Sequence, residues 1–154
     1  MTFNAAPPAP VTEPVITNGG WFPDIDPGAF RRVARVDGSA TPDRIRHLLI
    51  SAIGSVNDEL DAWRAEQVWA GITTLAGISG PLIDGQPRAV HLYLRAVYCL
   101  ANAELLDRYR DFGATPKADK RAETTEPGID DLRRDARWAI SDLLGIRRTT
   151  AELI

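Results

Sequence analysis

Histidine, cysteine and paired carboxylates are the side chains most able to do chemistry, and here they are few and scattered. His47 and His91 are the only histidines, and neither has a cysteine or carboxylate at a familiar metal-ligand spacing. Both read as partly exposed helix residues. Cys99 follows Tyr98 beside an apolar stripe with no motif around it, so it reads as a structural thiol. Asp24-Ile-Asp26-Pro-Gly28 opens like a calcium loop, yet its glycine comes one place early and Arg35 stands where a bidentate glutamate is needed. Gly77-Ile-Ser-Gly80 lacks the lysine and hydroxyl residue of a phosphate loop and reads as a turn. Asp58-Glu59, Asp61 and Asp130-Asp131 read as solvated helix faces or first turns. No nucleophile stands with a base and an orienting group. The expectation is therefore no catalytic residue, no metal and no cofactor.

Arginines and aromatics carry more information. Arg31, Arg32 and Arg35, then Arg133, Arg134 and Arg137, then Arg147-Arg148 form three short basic groups. They read first as surface ion pairs and second as an interaction surface for a protein or a DNA backbone. Trp21-Phe22 follows a proline-rich arm and precedes Pro23, which makes it either core or an anchor for a neighbouring chain, since aromatics are enriched in interface hot spots.

The elements that position these groups follow from periodicity and punctuation. Residues 1–14 include prolines at 7, 8, 10 and 14 and form an extended, mobile arm. Asp26-Pro27 caps a short helix running to about Val33, and Thr41-Pro42 starts a long one that Gly71 closes. The inward stripe of the long helix is Ile45, Leu48, Leu49, Ala52, Ile53, Val56, Leu60 and Trp63; Gly54 interrupts it and suggests a close helix contact. A connection follows, then a second long helix from Pro87 to Gly113. Polar residues 114–128 read as a mobile loop, a further helix runs from Ile129 to about Leu144, and residues 146–154 form a tail. The resulting fold class is all-α: a single bundle over residues 15–145, with two long helices and shorter N- and C-terminal ones.

Composition agrees. A chain of 154 residues with 44% hydrophobic and 25% charged residues suits one globular domain, and a lone cysteine implies no disulfide framework. A formal charge of −3 argues against a chain whose main work is neutralising nucleic-acid phosphates. With no secretory signal and no membrane-length apolar run, the expected setting is the cytosol.

Several blocks then form a recognisable series: Ile16-Thr-Asn-Gly-Gly-Trp-Phe-Pro23, Phe30-Arg31 with Arg35-Val-Asp-Gly38, Val56-Asn57 with Glu59-Leu60 and Trp63, and Tyr93-Leu-Arg-Ala-Val-Tyr98. Ala103-Glu-Leu105, Arg108-Tyr109, Asp131-Leu-Arg-Arg134, Trp138-Ala-Ile140 and Glu152-Leu-Ile154 continue it. The series resembles the head completion, or head stabilisation, proteins (GPL family) of contractile-tailed bacteriophages. That resemblance implies a non-enzymatic virion part at the head–tail junction, made in the host cytoplasm, that joins the portal vertex after packaging, helps retain DNA and supports tail attachment. The implied fold is head–tail adaptor-like. Implied partners are the portal protein, neighbouring copies in a ring (of twelve by analogy with other helical adaptors) and a tail or tail-terminator protein, with packaged DNA nearby and no membrane. Leu153 and Ile154 would be apolar anchors of a portal-binding tail, with Arg147 and Arg148 supplying charge. The alternative is a helical nucleic-acid-binding or regulatory module using the arginine groups.

Overall fold

The computed structural model describes residues 12–36, 38–112 and 128–146. Four helices carry the fold: α1 (Pro27–Ala34), α2 (Pro42–Trp69), α3 (Arg88–Phe112) and α4 (Ile129–Leu143). Their starts match their punctuation. The Asp26 carboxylate accepts from the Gly28 N–H at 2.8 Å, and Thr41 Oγ1 accepts from the Arg44 N–H at 3.4 Å, each with proline in the first helical position. Their ends do too. Gly71 and Gly145 take left-handed conformations, and the next amides, of Ile72 and Ile146, reach back to the carbonyls of Gln67 and Ser141 at 3.0 and 2.9 Å. α1 ends differently, on Arg35 at φ 52°, where a non-glycine residue takes the left-handed position.

Helix α2, of 28 residues, is about 42 Å long. Its stripe from Ile45 to Leu60 is buried against α3, which runs antiparallel to it: Arg44 lies over the Tyr109 ring near one end, while Asn57 meets Tyr93 near the other. α4 packs along α3, again antiparallel, with ion pairs Arg88–Asp142, Arg95–Asp135 and Arg133–Asp107 crossing between them. α2 and α4 are therefore parallel and flank α3. Between α2 and α3 the chain forms a 3-10 turn (Leu75–Gly77) and an antiparallel ribbon of β1 (Leu82–Ile83) with β2 (Gln86–Pro87). The all-α expectation holds for the architecture, and this ribbon departs from it. It exists because Asp84 and Gly85 both adopt positive φ, 49° and 71°, the geometry of the tightest hairpin turn.

Before α1, the segment from Ile16 to Ile25 doubles back on itself. Ile16 and Ile25 exchange backbone hydrogen bonds of 2.8 and 2.9 Å, and Gly19 and Gly20 turn the chain with positive φ. Fixed contacts start at Glu13, two residues earlier than the sequence suggests: its carboxylate pairs with Arg31 at 2.5 Å, and Arg46 donates to the Pro14 carbonyl at 3.0 Å. Residues 1–11 of the expected mobile arm and residues 114–127 of the expected mobile loop at 114–128 lie outside the described residues.

A closed ring of side-chain hydrogen bonds fixes the doubled segment to both long helices. Asn18 Nδ2 donates to Tyr93 Oη at 2.7 Å, Tyr93 Oη donates to Asn57 Oδ1 at 2.6 Å, and Asn57 Nδ2 donates to Asn18 Oδ1 at 2.8 Å. Burial pushes the Tyr93 phenol up to about 12, against a partial lowering by the Asn18 hydrogen bond. Since unfolded tyrosine ionises near 10, the neutral phenol's contribution is complete below pH 10 and is lost as pH climbs through about 12. Urea melts at rising pH should show stability falling above pH 10 by up to about 1.4 kcal/mol per pH unit from this group. A Tyr93→Phe chain should show a shallower decline.

Candidate interaction surfaces

Among the described residues no three His, Cys, Asp or Glu side chains assemble as a metal site. His47 is exposed, and His91 lies with Nε2 2.7 Å from the Ile83 carbonyl, tying α3 to the ribbon. Cys99 is half-buried. Burial and the nearby Asp135 charge raise its thiol, against the lowering influence of Arg95, so it is disfavoured as a nucleophile. The other candidate sites are surfaces for partners.

Trp21 and Phe22 are not among them. They are only 7% and 6% exposed. Phe22 stacks on Tyr93 with centroids 4.8 Å apart, while Trp21 meets Trp63 edge-on and donates Nε1–H to the Ile72 carbonyl at 3.1 Å. The expected anchor for a neighbouring chain is corrected to an internal one, because both rings find their partners inside the domain. They hold the doubled segment against the two long helices.

Among the described residues, Val15, Val33, Ile50 and Trp138 are large exposed apolar side chains scattered over the domain, and five more lie at the end where α2 finishes, α3 begins and α4 finishes. Trp69, the last residue of α2, is 93% exposed, and Val68 beside it is also exposed. Leu82 and Ile83 on β1 and Ile146 after α4 are exposed as well. Single exposed apolar residues are ordinary, but several at one end, including a tryptophan open to water, mark a contact surface. A shallow groove of about 180 Å3 lies there, lined by Trp63, Ile78, Pro81, Leu92, Asp142 and Leu143 among others. The tail leaves from this end. Its four marked residues, Arg147, Arg148, Leu153 and Ile154, lie outside the described residues.

The arginine groups resolve mainly into pairs. Arg31 binds the buried Glu13, Arg32 lies 3.6 Å from Asp26, Arg133 reaches Asp107 at 2.9 Å, and Arg134 reaches Asp131 at 2.7 Å while stacking over the Trp138 ring. Arg35 and Arg137 are exposed. The sequence marks the arginines but neither Trp69 nor the asparagine–tyrosine ring, whose members stand 36 to 75 positions apart.

Comparison with known proteins finds a family and relatives. The family model described as phage head completion protein (GPL) matches residues 16–154. The head completion/stabilization protein of Escherichia phage P2 is 41% identical over 133 residues, covering 86% of this chain and 79% of that one. A relative from Haemophilus phage HP1, named "Probable head completion/stabilization protein", is 28% identical over 140 residues, covering 91% of this chain and 92% of its own. No solved structure matches.

Proposed function

The chain belongs to the phage head completion protein (GPL) family, and from that premise we propose that it completes the packaged head at the portal vertex. It is a structural component of phage head assembly. In the finer reading it binds the portal protein as a ring of copies, in the manner of helical head–tail adaptors, helps retain the genome and offers a surface to the tail. The observation that carries this reading is the family match, which runs through the whole folded domain to Ile154. The apolar end of the bundle supports it, because an assembly component needs surface that the monomer leaves unburied.

Within this reading, residues 146–154 are the portal-binding arm. Leu153 and Ile154 are its apolar anchors and Arg147-Arg148 its charged contact. The polar stretch 114–128, with alternating charges, faces the channel or the tail, where it tolerates DNA without gripping it.

Truncation after Gly145 tests the arm. It also removes the Ile146 amide, which closes α4 on the Ser141 carbonyl, so the shortened chain should fold and lose only that bond, about 0.5–1.5 kcal/mol. It should also no longer join portal-bearing heads, as read by its presence in purified heads. Incorporation of the shortened chain at the full-length level would remove the arm assignment.

A further inference from the structure

We propose that neighbouring copies meet through the outer face of α2 on one copy and the outer face of α4 on the next, with Asp58 opposite Arg137. The inference deepens the ring reading above and rests on it. A closed ring of identical chains needs two different faces that complement each other. The bundle supplies them, because α2 and α4 lie on either side of α3 and each turns its polar face away from it.

Charge distinguishes the two faces. The second half of α2 carries Asp58, Glu59, Asp61 and Glu66 against a single Arg64, which is paired with Asp61 at 2.7 Å. On α4, Arg134 is held by Asp131 at 2.7 Å and Asp135 at 3.7 Å and lies over the Trp138 ring, 4.8 Å from its centroid, which leaves Arg137 as the cation this face offers. Arg133 is turned aside to Asp107 on α3. Asp58 and Arg137 are both exposed, and neither makes an ion pair among the described residues.

Height along the bundle agrees as well. Trp63 of α2 and Leu143 of α4 line the same groove, so they mark one level on two parallel helices. Asp58 lies five residues before Trp63, about 7.5 Å along the axis, and Arg137 lies six before Leu143, about 9 Å. Rotation about an axis parallel to the helices, with no rise, therefore brings the two charges level. That is the condition for closure into a ring instead of a filament.

Gly54 fits the same face. It stands one turn before Asp58 on the exposed side, and a side chain there would meet nothing within 4 Å in its own chain. Glycine inside a helix costs up to about 1 kcal/mol relative to alanine, and no contact within the monomer requires it. A helix from a second copy lying close against the stripe of Ser51, Gly54, Asp58 and Ala62 does.

The test is a cross-link. In a Cys99→Ser background, full-length chains carrying both Asp58→Cys and Arg137→Cys are assembled into completed heads and treated with a short bismaleimide. A ladder of covalent multimers is expected from the double variant and not from either single one. Asp58→Arg and Arg137→Asp, both at exposed positions, should each lower incorporation at least tenfold, and the double reversal should restore it. Several copies per head with no 58–137 ladder would overturn this contact and leave the ring reading standing. A single copy per head would overturn both.

Discussion

Trp21→Ala is expected to lower the unfolding free energy by about 3–5 kcal/mol, whereas Trp69→Ala changes it by less than about 0.5 kcal/mol. The residue type is the same and the environments are opposite. Trp21 is 7% exposed and 4.9 Å from the Phe22 centroid, with its Nε1–H given to the Ile72 carbonyl. Removing the ring opens a cavity beside Phe22 and Trp63 and strips a hydrogen bond from the connection after α2. It also weakens the seating of the next segment, because the Leu75 amide donates to the Trp21 carbonyl at 2.8 Å. Trp69 has almost no protein around it, so truncation leaves no cavity. Urea melts of the two variants measure this contrast directly. Equal stability losses would mean that Trp69 is packed in solution and would remove the apolar end as a free surface. If the assembly reading is right, Trp69→Ala instead lowers head completion while its melt stays unchanged.

The contrast shows which parts of this fold are legible in the chain and which are not. Asp26-Pro27, Thr41-Pro42, Gly71 and Gly145 act within a turn of their own position, and every helix boundary they predict is present to within about two residues. The inward stripes of α2 and α4 are legible for the same reason, since periodicity is local. The Asp84-Gly85 turn was also legible in principle. Its flanking strands have only two residues each, too few for an alternating pattern, so the hairpin signal passed as an ordinary connection. Trp21 is a different case. A tryptophan after a proline-rich arm has the composition of an exposed anchor and of a core residue alike, and only the return of α2 and α3 to the same place decides between them. Gly54 reads from sequence as a close helix contact, and its own chain supplies none, since a side chain there would meet nothing within 4 Å. For the candidate surfaces, residue type marks the arginines but not Trp69. The common level of Asp58 and Arg137 needed the packing of three helices, which no local pattern encodes.

The asparagine–tyrosine ring is the feature furthest from any local pattern, and it leads to the other large effect. Tyr93→Phe removes one oxygen without changing the ring's packing on Phe22, so cavity formation does not enter. What is lost is an acceptor for Asn18 Nδ2 and a donor to Asn57 Oδ1. Asn18 is 6% exposed but keeps the Pro23 carbonyl at 3.1 Å as a partner for Nδ2, and Asn57 is only half-buried, so water can reach part of the vacated site. Two broken bonds at about 0.5–1.5 kcal/mol each, plus partial desolvation of the groups left behind, give an expected loss of about 2–3 kcal/mol. Asn57→Leu should cost a similar amount by leaving Tyr93 Oη without its acceptor and Asn18 Oδ1 without its donor. The informative quantity is the double variant. If the three groups act as one closed ring, Tyr93→Phe with Asn57→Leu removes a bond that each single change has already broken, and the losses should fall short of additive by about 1–2 kcal/mol. Melts of the four chains measure that coupling. Additivity within about 0.3 kcal/mol would mean that the three bonds act separately and not as one closed ring.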